Sequence, residues 1–156
     1  AEEAALLLNA DGYGYGLFPA QIHALDTWQE LEPLALASLL VNLNEQVLEL
    51  GQPTPAQYLT RLTEIALGSE NQLLLDLTLD QLQHIYWTLI SDEQRSRLAP
   101  ELEAGLWQAL QRSEGESLRK IFFEAYAKIT LSPLGLDRLH EVWSGDRVIS
   151  NLPFSE

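Results

Sequence analysis

Apolar positions recur at helical spacing along most of this chain. From Leu36 they fall at Leu36, Leu39, Leu40, Leu43, Val47 and Leu50, separated by 3, 1, 3, 4 and 3 residues, which is one face of an amphipathic helix. Pro33 opens that helix, and Gly51 ends it at the turn GQPTP. Thr54 followed by Pro55 is an N-cap with proline at the first helical position, and the helix behind it buries Leu59, Leu62, Ile65 and Ala66. Gly68 stops that helix, and Ser69 is expected to cap the next. The stretch from Leu73 to Leu79 is apolar on more than one side, which predicts neighbours on both faces.

Ser91 and Asp92 cap a further helix. Pro100 is expected to break or kink it near Leu98, because proline lacks an amide proton and crowds the preceding turn. Leu102, Leu106 and Leu110 continue at a spacing of four, and Leu118, Ile121, Phe122, Ala125 and Ile129 form the following stripe. Ser132 and Pro133 repeat the cap-then-proline signal. Leu136, Leu139, Val142 and Trp143 complete a short helix closed by Gly145. The tail DRVISNLPFSE carries no periodicity. Helix starts at Pro55, Asp92 and Pro133 lie about 40 residues apart, the period of stacked helical hairpins. The predicted fold is mainly α, an α-solenoid or HEAT-like stack of antiparallel hairpins.

One segment breaks the pattern. Leu6 to Phe18 reads as two short extended pieces around NADGYG, where Asn9, Asp11 and Gly12 supply turn chemistry. A lone two-stranded hairpin is marginal in water, so this piece must pack on helices or belong to a larger sheet. The expected organisation is a β-hairpin remnant over residues 1–18 and a helical domain over 19–156, with Pro19 opening a first helix, PAQIHALDTWQELE.

Composition narrows the function classes. Leucine dominates the apolar residues, which suits helices. The 23 acidic and 9 basic side chains leave a formal charge of -14, a field that repels nucleic-acid phosphates and anionic membrane surfaces. No apolar run approaches the roughly 18 residues that span a bilayer. There is no cysteine, which removes disulfides, thiol catalysis and Cys-ligated zinc but leaves cytoplasmic and periplasmic locations both open. There is no methionine either, so Ala1 is not expected to be a native start.

No catalytic, cofactor-binding or metal-ligating residue stands out. His23, His84 and His140 have no partner at the spacing a zinc helix needs. There is no G-x-S-x-G elbow, and the glycines of DGYGYG lack the lysine and following helix of a phosphate loop. Glu101 with Glu103, or Asp92 with Glu93, could form acid/base pairs. They read more simply as a solvated acidic face and as favourable charge at a helix start. Trp28, Trp87, Trp107 and Trp143 fall on different predicted helices and read as core or groove residues.

As an ordered series, the pieces resemble a known family. NADGYGYGLF, with Asn9, Asp11, Gly14 and Tyr15 in matching order, is similar to the last strand of the small β-sandwich in gluzincin zinc aminopeptidases of the aminopeptidase N family. Gly16 and Leu17 stand where that family often has Tyr and Arg. LALASLLVNLNEQVLEL, PTPAQYLTRLTEIALGSENQLLL, IYWTL, LAPELEAGLWQAL, SLRKIFFEAYAKI and GLDRLHEVWSG then resemble successive parts of the family's C-terminal helical domain. The resemblance implies an accessory domain that covers the active site and shapes the peptide-substrate cavity without cutting peptides itself. Its partners would be the upstream catalytic and β-sandwich domains and the peptide substrate. Zinc, its ligands, the general-base Glu and the Gly-x-Met-Glu-Asn loop would lie in the missing catalytic domain, so no catalytic or metal residue is carried over. The alternatives are a free-standing helical scaffold binding a protein or peptide in a concave groove, and an enzyme whose carboxylates or histidines meet only on folding.

Overall fold

A computed structural model describes residue 16 and residues 18–149. Among these the chain is all-α. Two short 3-10 turns, Ile22–Leu25 and Trp28–Glu30, precede α1 (Pro33–Leu50), α2 (Pro55–Gly68), α3 (Gln72–Thr88), α4 (Asp92–Arg112), α5 (Glu116–Ile129) and α6 (Pro133–Ser144). The hairpin expected over residues 1–18 lies outside the described residues, Gly16 and Phe18 apart. No described helix is long and apolar enough to cross a membrane.

Local chemistry sets most boundaries. Thr54 and Gln57 form a reciprocal capping box at the start of α2, and Ser91 and Gln94 form another at the start of α4. The Ser132 hydroxyl accepts the Gly135 amide at the start of α6. Gly51 and Gly145 adopt left-handed backbone (φ 65° and 82°), which ends α1 and α6 where a side chain would be strained. The cap of α3 is Asn71 and not Ser69. The Asn71 side-chain oxygen accepts the Leu74 amide at 3.1 Å, while Ser69 accepts from Asn71 itself.

Two expectations about helix continuity are corrected. The segment after Pro19 does not form an α-helix; it forms the two 3-10 turns, neither with a side-chain cap. Tertiary bonds hold this segment instead. Gln46 on α1 donates to the Ala20 carbonyl, and Arg61 on α2 pairs with Asp26. Conversely, α4 runs unbroken through Pro100. Proline costs about 3 kcal/mol inside a helix. Burial of Ala99, Leu102, Leu106, Trp107 and Leu110 on that helix outweighs it, at about 1.5–3 kcal/mol for each large side chain.

The chain divides into two compact units, Ala1–Ile85 and Tyr86–Glu156. In the first, α1 packs on α2. Its core is built from Leu36, Leu39, Leu40, Leu43, Tyr58, Leu62, Ile65, Leu75 and Leu82, all nearly inaccessible. The Tyr58 hydroxyl lies 2.8 Å from the Leu40 carbonyl oxygen and 2.6 Å from the Gln81 carboxamide. A hydroxyl has one proton; with the Gln81 amide group turned to donate, both contacts are satisfied. In the second unit, α4 packs on α5 through Leu106, Ala109 and Leu110 on one side and Phe122, Ala125, Tyr126 and Ile129 on the other.

Several apolar side chains stay in solvent. Leu73 was expected between two neighbours but is 83% exposed, because α3 buries one broad face through Leu74, Leu75, Thr78 and Leu79. Leu136 and Trp143 on α6 are likewise exposed, and Val142 and Gly135 face inward instead. On α1, Leu34, Val41 and Leu48 are all exposed. Residues seven apart differ by only about 20° around a helix, so these three share one stripe.

Two buried tyrosines make opposite predictions. Tyr58→Phe removes a satisfied hydroxyl and deprives the buried Gln81 carboxamide of its partner, so it should destabilise by about 1–2 kcal/mol in urea unfolding. Tyr86→Phe removes a buried hydroxyl that has no hydrogen-bond partner among the described residues, so it should be neutral or stabilise by up to about 1 kcal/mol. Burial also pushes the Tyr58, Tyr86 and Tyr126 hydroxyls above their ordinary range. The unfolded chain releases these protons near pH 10 and the folded chain holds them to higher pH. Stability present below about pH 10 should therefore fall as pH rises further, by up to about 1.4 kcal/mol per pH unit per tyrosine. Urea midpoints from about pH 8 to 11 check this, and Tyr58→Phe should flatten the alkaline fall.

Candidate functional site

Within the second unit, helices α4, α5 and α6 frame an indole. Trp107 sits on the buried face of α4 beside Leu106 and Leu110 and is 6% exposed. Its ring meets Tyr126 of α5 with centroids 5.0 Å apart and planes tilted by 53°. Arg138 of α6 places its guanidinium 5.3 Å from the indole centroid, and Arg147, just past the Gly145 turn, lies 5.7 Å away. Such contacts are worth about 0.5–2 kcal/mol each, more where water is excluded.

The arginines are held in place. The Arg147 backbone amide donates to the Glu141 carbonyl at 2.9 Å, and its Nε donates to the Glu141 carboxylate at 2.6 Å. Arg119 on α5 donates from Nε to the carbonyl of Ser113, the residue that ends α4, at 2.9 Å. It thereby satisfies a helix-terminal carbonyl. Between these groups lies a cleft of about 240 Å³ lined by Trp107, Leu110, Gln111, Arg119, Arg147, Val148 and Ile149. Leu110, Val148 and Ile149 give it an apolar side, and the two guanidiniums give it a cationic side.

Charge is unevenly divided between the units. The first holds Arg61 as its one basic residue, against twelve carboxylates. The other eight lysines and arginines lie in the second unit, against eleven carboxylates. The acidic character of the chain is therefore mostly a property of the first unit, and the cleft sits where cations are concentrated.

The residues weighed in the sequence take up other places. His23, His84 and His140 are all exposed, on a 3-10 turn, on α3 and on α6. Among the described residues no group of three or more His, Asp and Glu side chains is placed to hold a metal ion. Asp92 pairs with Arg95 and Glu93 with Arg97 on the exposed first turns of α4. Trp28 is half-buried, Trp143 is 91% exposed, and Trp87 donates its indole proton to the Lys128 carbonyl at 3.0 Å. Trp143 therefore belongs to neither core nor groove. Gly12 and Gly14 lie outside the described residues.

Glu103 corrects the reading of a solvated acidic face. Glu101 is exposed, but Glu103 is 2% exposed. Its carboxylate accepts the Leu131 amide at 2.7 Å, the Ser132 amide at 2.8 Å and the Ser132 hydroxyl. It ties the α5–α6 turn to α4 and is fully engaged in doing so. The turn has no room for more: a Cβ on Gly135 would come within 2.3 Å of the Glu103 carboxylate and 2.7 Å of the Thr130 methyl.

Periodicity in the sequence located α4, α5 and α6 but not the convergence of Arg138 and Arg147 on one indole. The available signal was the crowding of basic residues into the second half of an acidic chain. No protein-family model, curated protein or solved structure matches the chain.

The Glu103 clamp yields a stability prediction. Glu103→Gln keeps the shape but turns an amide group toward backbone donors, and should cost about 2–3 kcal/mol in urea unfolding. Gly135→Ala should cost at least about 2 kcal/mol by overpacking the same turn. The two losses should be clearly non-additive, because both act on one contact.

Proposed function

We propose that this chain is an accessory helical domain of a zinc aminopeptidase of the aminopeptidase N family, one that covers the active site and shapes the peptide cavity. In this reading the helices form a solenoid-like stack of hairpins, the segment before Pro19 is the end of a β-sandwich, and zinc and the peptide-cleaving residues lie in an upstream domain of the same polypeptide. The order of the helical pieces supports this reading. The structural observation that carries it is the exposed apolar stripe Leu34, Val41 and Leu48 on α1. A helix that buries one face and leaves leucine and valine on another is suited to packing against a further domain.

A free-standing scaffold is the second reading, and the charge division favours it. A first unit with one cation against twelve carboxylates would attract a basic protein or peptide.

The full reading frame separates the two. The aminopeptidase reading requires H-E-x-x-H upstream, with a Glu about 20 residues later as gluzincin sites need, and zinc-dependent release of p-nitroaniline from alanine p-nitroanilide by the whole protein. A reading frame without that motif overturns it. The stripe gives a second measurement. Leu34→Gln, Val41→Gln and Leu48→Gln together should shift the stability of this chain alone by no more than about 0.5 kcal/mol per site, as surface changes do. In the whole protein they should lower Tm by several degrees, because there the stripe would be covered. Equal effects in both would favour the scaffold.

A further inference from the structure

We infer that the exposed stripe of α1, formed by Leu34, Val41 and Leu48, is a docking surface for a basic amphipathic helix of a separate protein. The inference rests on the scaffold reading and adds to it the surface and the kind of partner.

The stripe has the spacing of a helix seam. Leu34, Val41 and Leu48 fall seven residues apart on the exposed side of α1. Ala37 and Asn44, both half-buried, follow Leu34 and Val41 by three residues. Positions seven apart, each with a second position three residues on, form the pattern against which another helix packs. From Leu34 to Leu48 the stripe runs about 21 Å, at about 1.5 Å per residue. Ala37 leaves room for close approach. Asn44 sets one amide in the seam, which favours a single register.

Charge selects the partner. Glu45 and Glu49 are exposed and fall together on one side of the stripe. The first unit has one lysine or arginine, Arg61, and Asp26 and Glu64 already engage it. No such cation of that unit is left for Glu45 and Glu49, and the unit carries twelve carboxylates. A second copy of the chain would set this charge against itself. An uncharged helix would remove water from the two glutamates without pairing them. A helix with Lys or Arg beside its apolar seam covers the stripe and pairs the glutamates together.

The probe is a fluorescein-labelled peptide of three repeats of Leu-Lys-Ala-Leu-Lys-Ala-Lys. One control replaces every Lys by Glu. A second keeps the composition but reorders it so that the leucines share no face. The readout is fluorescence anisotropy on titration with the intact chain at about 50 mM salt. The expected result is saturable binding with a Kd near about 10 μM, weaker by severalfold at about 300 mM salt. Both controls should bind at least about tenfold more weakly. Val41→Gln with Leu48→Gln should weaken the probe by about tenfold, and Glu45→Gln with Glu49→Gln by about threefold. No saturable change up to about 200 μM overturns the site. Equal binding of the reordered peptide, or indifference to the Val41 and Leu48 changes, overturns the stripe as the surface. Equal binding of the glutamate peptide overturns the choice of a cation. A dimer in sedimentation that the Val41 and Leu48 changes dissolve overturns the separate partner in favour of a second copy. The control peptides decide on the unaltered chain if the variants fold poorly. The two failures are separable: H-E-x-x-H in the reading frame removes the scaffold reading, and an unresponsive titration removes the helix.

Discussion

Glu103 accepts two backbone amides and a hydroxyl at the point where α5 ends and α6 begins, and the second unit is arranged around that contact. A helix end leaves carbonyls without partners, and a helix start leaves amides without partners. Placing both ends in a short turn against a third helix would bury several unsatisfied groups. One carboxylate reaching across from α4 takes the amides, and the Ser132 hydroxyl, itself bonded to Glu103, accepts the Gly135 amide in the first turn of α6. Gly135 has no side chain because the carboxylate occupies that space. With the turn fixed, Arg138 lies against Trp107, and the chain leaving α6 brings Arg147 to the same ring. The geometry of the cleft is thus downstream of a buried charge that takes no part in the cleft itself.

The first unit buries neutral polar groups instead. Its core is mostly leucine, and among its buried polar contacts the Tyr58 hydroxyl sits between the Leu40 carbonyl and Gln81. Burial pushes the pKa of that hydroxyl well above its ordinary range, so it stays protonated and neutral at neutral pH. Tyr86, in the second unit, is also inaccessible to solvent but has no hydrogen-bond partner for its oxygen among the described residues. Identical side chains therefore contribute with opposite sign, and hydrogen-bond satisfaction decides which.

Elements with strong local signals were legible in the sequence. The capping boxes at Thr54 and Ser91, the cap-then-proline at Ser132 and the glycine ends at Gly51 and Gly145 all name their boundaries, because each works within four residues of chain. What failed was whatever depends on distant partners. Pro100 suggests a break locally, yet the packed half of α4 carries the helix through. The segment after Pro19 has helical spacing, yet without side-chain caps it settles into 3-10 turns pinned by Gln46 and Arg61. Glu103 cannot be told from Glu101 by spacing, since its burial is created by residues 28 and 29 positions away. The arginine pair on Trp107 was invisible for the same reason: Arg138 and Arg147 carry no spacing signal, and only the fold gives them a common neighbour.

Net charge and local charge answer different questions here. The -14 of the whole chain is a long-range quantity, screened over about 10 Å at 0.1 M salt. It governs which large partners approach, and it turns away extended polyanions such as nucleic acids. The cleft works at contact range. At about 4 Å and an effective dielectric near 20, one cation attracts one anion by about 4 kcal/mol, before desolvation is subtracted. The same comparison separates the two units. In the first, contact and field have the same sign, and that surface suits a cationic partner. In the second, eight cations against eleven carboxylates leave little net field, and contacts such as those of Arg138 and Arg147 with Trp107 matter more than the total.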